Sequence, residues 1–160
     1  MSDGMPAVGP PPLSPFGLVL HHDGRFSHEG QPILNLRLRA HFDRSVSYLP
    51  EERKFIVSLR HFRGEVEVEE AGFFVREVDL DRAEILLSDG SREPLDLETL
   101  ESSEIDGALL FRVKTSLVAE GLLARFSHSA QADLLQAVES AEDGFVLVTG
   151  SGRIPFPEVE

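Results

Sequence analysis

Six histidines, a row of alternating carboxylates and a few arginines are the side chains here that could do chemistry. His21, His22, His28, His41, His61 and His128 form no His-Glu-x-x-His or comparable metal-ligand spacing. His21 and His22 are adjacent in a stretch of strand character, so they point to opposite faces and cannot easily share a metal. His28-Glu29 beside a turn has the residue types for acid–base work, but a polar turn explains it more simply. No Gly-x-Ser-x-Gly nucleophile elbow occurs. Thr149-Gly150-Ser151-Gly152-Arg153 follows a strand as a phosphate loop does, yet no helix and no Lys-Ser/Thr pair follow it, so it reads as a surface turn. Cysteine is absent, which excludes disulfides, zinc–thiolate sites and cysteine nucleophiles. The expectation is a chain that is not an enzyme and holds no metal or cofactor.

Those residues must be positioned by an architecture, and hydrophobic period supplies one. The organising stretch is 23–49. It opens on an Asp23-Gly24 turn and crosses a short extended piece with Phe26, His28 and Gly30. It then enters a helix near Asn35, a plausible cap, whose apolar face is Leu34, Leu38, Phe42 and Val46. Arg37, His41 and Arg44 share the opposite face. The helix is expected to run to Leu49-Pro50, because a proline ring disfavours helical backbone at the residue before it. A β meander follows: Phe55, Val57 and Leu59 face one way, His61 to Gly64 turn, and 65–69 alternates Glu and Val with a strict period of two. Such alternation marks a half-buried antiparallel strand with Glu65, Glu67 and Glu69 on its wet side.

Further along, 72–80 is a strand covered on two faces, since both Phe73 and Phe74 are apolar. Residues 85–88 and the Asp89-Gly90 turn form a hairpin. The acidic stretch 91–107 reads as a mobile loop. Residues 108–114 form a strand, and 117–126 is mostly extended because Gly121 interrupts any helix. A second helix is expected at 129–141 with Ala130, Leu134, Ala137 and Val138 on one face, ended by Asp143-Gly144, and 145–149 is the last strand before a polar tail. The Pro/Gly-rich residues 1–15 read as a disordered tail, followed by an N-terminal lobe, 16–70, and a C-terminal lobe, 71–160. The order turn, extended piece, helix, strand occurs at 23–60 and again at 120–149, which suggests an internal duplication. The tetrapeptide Arg-Phe-Ser-His, at 25–28 and 125–128, sits differently before each helix and reads as chance.

Charge narrows the function classes. The net charge of −13 argues against nucleic acid as a partner, since phosphate affinity needs clustered Lys and Arg. A net positive balance is confined to residues 25–63, where eight Lys/Arg face four Asp/Glu for a net of +4; residues 64–160 hold seven Lys/Arg against 22 Asp/Glu for a net of −15. Attraction between lobes, or a local anion site, would follow from that division. No apolar segment approaches the roughly 20 residues that span a bilayer, and the N-terminus lacks signal-peptide character. A cytoplasmic, membrane-free protein is expected.

The run Asp23-Gly24-x-Phe26, then Gly30-x-Pro32-Ile33, a helix carrying Phe42, and a strand with Val68-Glu69 and Phe73 resembles the bacterial family named domain of unknown function 1285 (DUF1285). Gly121, Leu122 and Ala124 match its later Gly-Leu-x-Ala segment, so the likeness extends over residues 16–150. Phe26 stands in place of that family's Trp, Asn35 in place of an Arg, and Glu70 and Gly72 in place of Asp and Pro. His128, Gln131 and Ala132 fall where the family has Arg and aromatics. The resemblance implies a distant member with a duplicated α+β fold of antiparallel sheet-plus-helix units, the second half loosely like a pleckstrin-homology domain. It also implies a non-catalytic signalling or binding role with a nucleotide-like or other small anionic ligand between the lobes. With the charge division, it points to Asn35, Arg37, Arg39, Glu69, Glu70, Arg125 and His128 as ligand-binding residues. The alternative is a protein–protein interaction module without a small ligand.

Overall fold

In the computed structural model, which describes residues 13–59 and 62–159, the chain divides into two compact units, Met1–Glu69 and Glu70–Glu160. The first contains strands β1 (Leu13–Leu20), β2 (Phe26–His28) and β3 (Gln31–Pro32), helix α1 (Leu36–Ser45), and strands β4 (Ser47–Leu49), β5 (Lys54–Leu59) and β6 (Phe62–Val68). They form one sheet in the order β3-β2-β1-β6-β5-β4. All neighbours are antiparallel except β1 and β6, which run parallel. Two three-stranded meanders are thus joined along one parallel seam, and the crossover that a parallel pair requires passes through α1.

The core of this unit is Leu18, Leu20, Phe26, Phe42, Val46, Ile56, Val57 and Val66. On β6 the alternation expected from the sequence holds: Gly64 and Val66 are buried and Glu67 is exposed. Helix α1 departs from expectation. Of its proposed apolar face, Leu34 precedes the helix and is exposed, Leu38 is partly exposed, and only Phe42 and the capping residue Val46 are buried. The helix also stops at Ser45 rather than reaching Leu49. Val46 is extended (φ −62°, ψ 128°), and Tyr48 pairs with Phe55 across β4 and β5, their rings 4.8 Å apart. Pro50 therefore ends a strand, because the restriction it places on Leu49 favours extended backbone. Residues 1–12 of the expected tail lie outside the described residues, and Leu13–Pro15 belong to β1. Of the expected turn at 61–64, His61 lies outside the described residues and the rest is in β6.

The second unit contains β7 (Phe73–Asp79), β8 (Glu84–Leu87), β9 (Arg92–Pro94), a 3-10 turn (Leu97–Thr99), β10 (Glu101–Ser102), β11 (Leu109–Val113) and β12 (Leu122–Phe126). Their sheet order is β9-β8-β7-β12-β11-β10, with β7 and β12 parallel and the other neighbours antiparallel. Each strand therefore occupies the place of the strand six earlier in the first unit. The fold is α+β with two similar sheet units, and each sheet is mixed rather than purely antiparallel. All four outer strands are two or three residues long, which leaves little edge for unwanted pairing.

The duplication is real but its phase differs from the one expected. Residues 13–68 repeat as 73–126, so α1 corresponds to the 3-10 turn, not to the second helix. That helix, α2 (His128–Gln136), follows the repeat and packs on β7 and β12. It is also shorter than expected. Ala137 caps it, and Val138–Ala141 is strand β13, paired with β14 (Gly144–Thr149), which pairs in turn with β15 (Gly152–Phe156). Asp143-Gly144 thus turns a hairpin, and 152–156, expected as polar tail, is a third strand. The stretch 91–107 is ordered too, with Leu95, Leu97 and Leu100 buried. The two Arg-Phe-Ser-His copies fall at inequivalent places, one in β2 and one bridging β12 and α2.

Candidate functional site

Asn35 begins the first candidate region. Its side-chain oxygen accepts the Leu38 amide at 3.0 Å, so the expected cap is present and that oxygen is committed to it. Arg37 is exposed and Arg39 half-buried on the first turns of α1. Neither side chain forms a hydrogen bond or ion pair among the described residues. The first turn carries no acid, so the positive end of the helix dipole is reinforced by both arginines rather than offset. Just before and within it, Leu34 is 78% exposed and Leu36 74%. His41 is not on this wet face; its Nε2 bonds to the Ser58 carbonyl at 3.0 Å.

Glu69 does not join these arginines. One of its carboxylate oxygens accepts both the backbone N–H of His22 at 2.7 Å and lies 2.7 Å from the His22 Nδ1. The amide first, and the imidazole second, hold its carboxyl below the ordinary range. His21, the neighbour, bonds through Nε2 to the Ser27 hydroxyl at 2.9 Å.

Glu70 and Arg125 do meet, inside the second unit. Arg125 Nη1 donates to Glu70 Oε1 at 3.1 Å, its Nη2 donates to Asp106 Oδ2, and the Ser103 hydroxyl donates to the other Glu70 oxygen at 2.5 Å. The guanidinium, and then the Ala108 amide, hold Asp106 at a pKa of about 2. Burial opposes the charge on Arg125, but its bonds to Asp106 and Glu70 raise its pKa on balance. An arginine bracketed by two carboxylates has little charge left for an anionic ligand. His128 is the exposed first residue of α2, whose cap is the Ser127 hydroxyl, accepting the Ala130 amide at 3.2 Å. Gln131 anchors this helix by accepting the Leu109 amide at 2.9 Å. Among the seven expected residues, the structure therefore pairs Glu70 with Arg125 and groups Asn35, Arg37 and Arg39 on α1.

Sequence reasoning missed a second polar cluster. Lys114 Nζ donates to Asp89 Oδ2 at 2.6 Å and to the Ser91 hydroxyl at 2.8 Å, and lies 5.2 Å from the Phe73 ring centroid. Burial works against the Asp89 anion, but the bonds from Lys114 and Ser91 outweigh it and lower its pKa. Through the two bonds from Lys114 the cluster fastens the β8–β9 turn to the end of β11. The Asp89-Gly90 turn signal was visible in the sequence; its lysine partner 25 residues on was not. Among the described residues no group of His, Asp and Glu is arranged to hold a metal ion, and no helix is long and apolar enough to cross a membrane.

Comparison with known proteins places this architecture. No family model matches the sequence, and no curated protein matches it. Two solved structures are similar. A DUF1285 family protein from Silicibacter pomeroyi DSS-3 superposes with a TM-score of 0.60 at 17% identity, over 91% of this chain and 82% of that one. A DUF1285 family protein from Shewanella baltica OS155 gives 0.47 at 13% identity, over 76% and 91%. The first likeness extends over both sheet units. By fold, the chain is a distant DUF1285-like protein.

Proposed function

We propose that the protein is a non-catalytic binding module of signalling type, and that the first turns of α1 engage an acidic polypeptide. The observation that carries this is the N-terminal end of α1, where Arg37 and Arg39 lack partners beside exposed Leu34 and Leu36. Cations at a helix N-terminus work against its dipole, and the two bare leucines beside them leave apolar area in water that a partner could cover. Such local rule-breaking is expected where a surface is kept for another purpose. The leucines call for apolar side chains and the arginines for carboxylates, which together describe an acidic amphipathic segment better than a small anion. Glu70 and Arg125, by contrast, are spent on each other. Several histidines are likewise committed within the fold, His41 to Ser58 and His21 to Ser27, which favours binding over acid–base chemistry.

The test is fluorescence anisotropy with a labelled helical peptide bearing Glu and Leu on one face. Saturable binding that weakens with salt and is lost in Arg37→Glu supports the proposal. If a nucleotide or inorganic phosphate displaces the peptide and protects the protein thermally, the site belongs to a small anionic ligand instead. No binding at all overturns both readings.

A further inference from the structure

We infer that the partner of the α1 surface is a second copy of this chain, whose second unit receives residues 34–39 in a groove beside its 3-10 turn. The inference rests on the reading above that α1 is a docking element. The groove is about 510 Å³, with Leu95, Leu97, Ile154 and Pro155 along it and Asp96 and Glu98 exposed at its rim. Pro155 lies on β15, an outer strand of its three-stranded sheet, and offers no N–H to an incoming strand. The groove is therefore suited to side chains rather than to strand addition.

The chemistry of the two surfaces is complementary. Leu34 and Leu36 supply the apolar anchors and Arg37 and Arg39 the cations, while the groove supplies an apolar floor and a carboxylate rim. Asp96 spends one oxygen on the Glu98 amide at 3.0 Å. The Glu98 carboxylate has no partner among the described residues. Charge around the two surfaces points the same way: residues 25–63 carry a net of +4 and residues 64–160 a net of −15. Opposed fields of this kind steer association and fix which surfaces meet.

Sedimentation velocity on the full chain over a concentration series tests the inference. The wild type self-associates at low salt and dissociates at high salt, where exposed charges are screened. Arg37→Glu and Glu98→Arg each weaken association by about tenfold, the change produced by losing about 1.4 kcal/mol of contact. Mixing the two variants restores association, because the introduced carboxylate meets the introduced guanidinium. Both positions are exposed, so the circular dichroism of each variant should match wild type, and neither should unfold; Arg37→Glu places a carboxylate where the dipole of α1 favours one. A wild type that stays monomeric, or association indifferent to both reversals, overturns the inference. If the monomer still binds the acidic peptide through Arg37, the reading of α1 stands and only the identity of the partner is wrong.

Discussion

Replacing Arg125 with methionine should destabilise the second unit by about 3 kcal/mol. Arg125 and Glu70 are 12% and 10% exposed, so deleting the guanidinium strands Glu70 with one remaining donor, the Ser103 hydroxyl. Breaking a buried pair from one side typically costs about 3–5 kcal/mol. The low end applies because methionine keeps the apolar stem packed. Asp106, 40% exposed, simply rehydrates, and an exposed pair contributes at most about 1 kcal/mol. Urea unfolding followed by circular dichroism measures the effect as a shifted midpoint at unchanged slope. Adding Glu70→Gln to Arg125→Met should recover part of the loss, with a coupling of about 1–3 kcal/mol. A single-variant loss below about 1 kcal/mol, or no recovery in the double variant, would refute the assignment of the cost to a stranded carboxylate.

Phe42→Ala should cost about 3–5 kcal/mol in a melt of the protein, the usual result of deleting a core aromatic; Phe42 is buried, with its ring 5.7 Å from that of Phe26. Glu67→Lys should change stability by no more than about 0.5 kcal/mol, because Glu67 lies exposed on the opposite side of β6 from Val66. Asp106 has its folded pKa depressed from 3.8 to about 2, so its contribution is complete above about pH 5 and is lost as pH falls toward about 2. Asp106→Asn should accordingly flatten the stability–pH curve in that acid window and leave its slope near neutrality unchanged.

Period-two and turn signals were easy to read from the sequence. The alternation on β6, the doubly covered Phe73-Phe74, the Asn35 cap and the Asp-Gly turns all appear where their residues indicate. What misled was composition standing in for pattern. The acidic content of 91–107 suggested a loop, yet Leu95 and Leu97 alternate with Asp96 and Glu98, and both leucines are buried. Val138 fits a helical face extended from Leu134, but a β-branched residue just past the Ala137 cap continues as well into a hairpin. For the candidate residues, the family resemblance and the charge division offered Glu69, Glu70 and Arg125 as ligand-binding groups, whereas in the structure their side chains bond within the fold. The partners themselves, His22, Ser103 and Asp106, come from strands and turns that only the tertiary fold brings together.

The corrected phase of the duplication bears directly on function. Within the strand order that the two units share, the crossover between their meanders differs, a ten-residue helix in the first and a three-residue 3-10 turn in the second. The sheets are fixed by the hydrophobic core that both repeats must bury, so divergence is tolerated where the core constrains least. Connections carried by a rigid scaffold are also where binding residues concentrate. In the first unit the crossover displays Leu34, Leu36, Arg37 and Arg39; in the second it displays Asp96 and Glu98 beside an apolar groove. Equivalent positions in the repeat thus carry opposite charge, arginines beside exposed leucines in one and carboxylates beside an apolar groove in the other. A divergence driven only by solubility would have given both crossovers solvated acidic surfaces, in keeping with the net charge of −13. The exposed Leu34 and Leu36 beside Arg37 and Arg39, at one crossover and not at the other, are what make association the reading that these residues support.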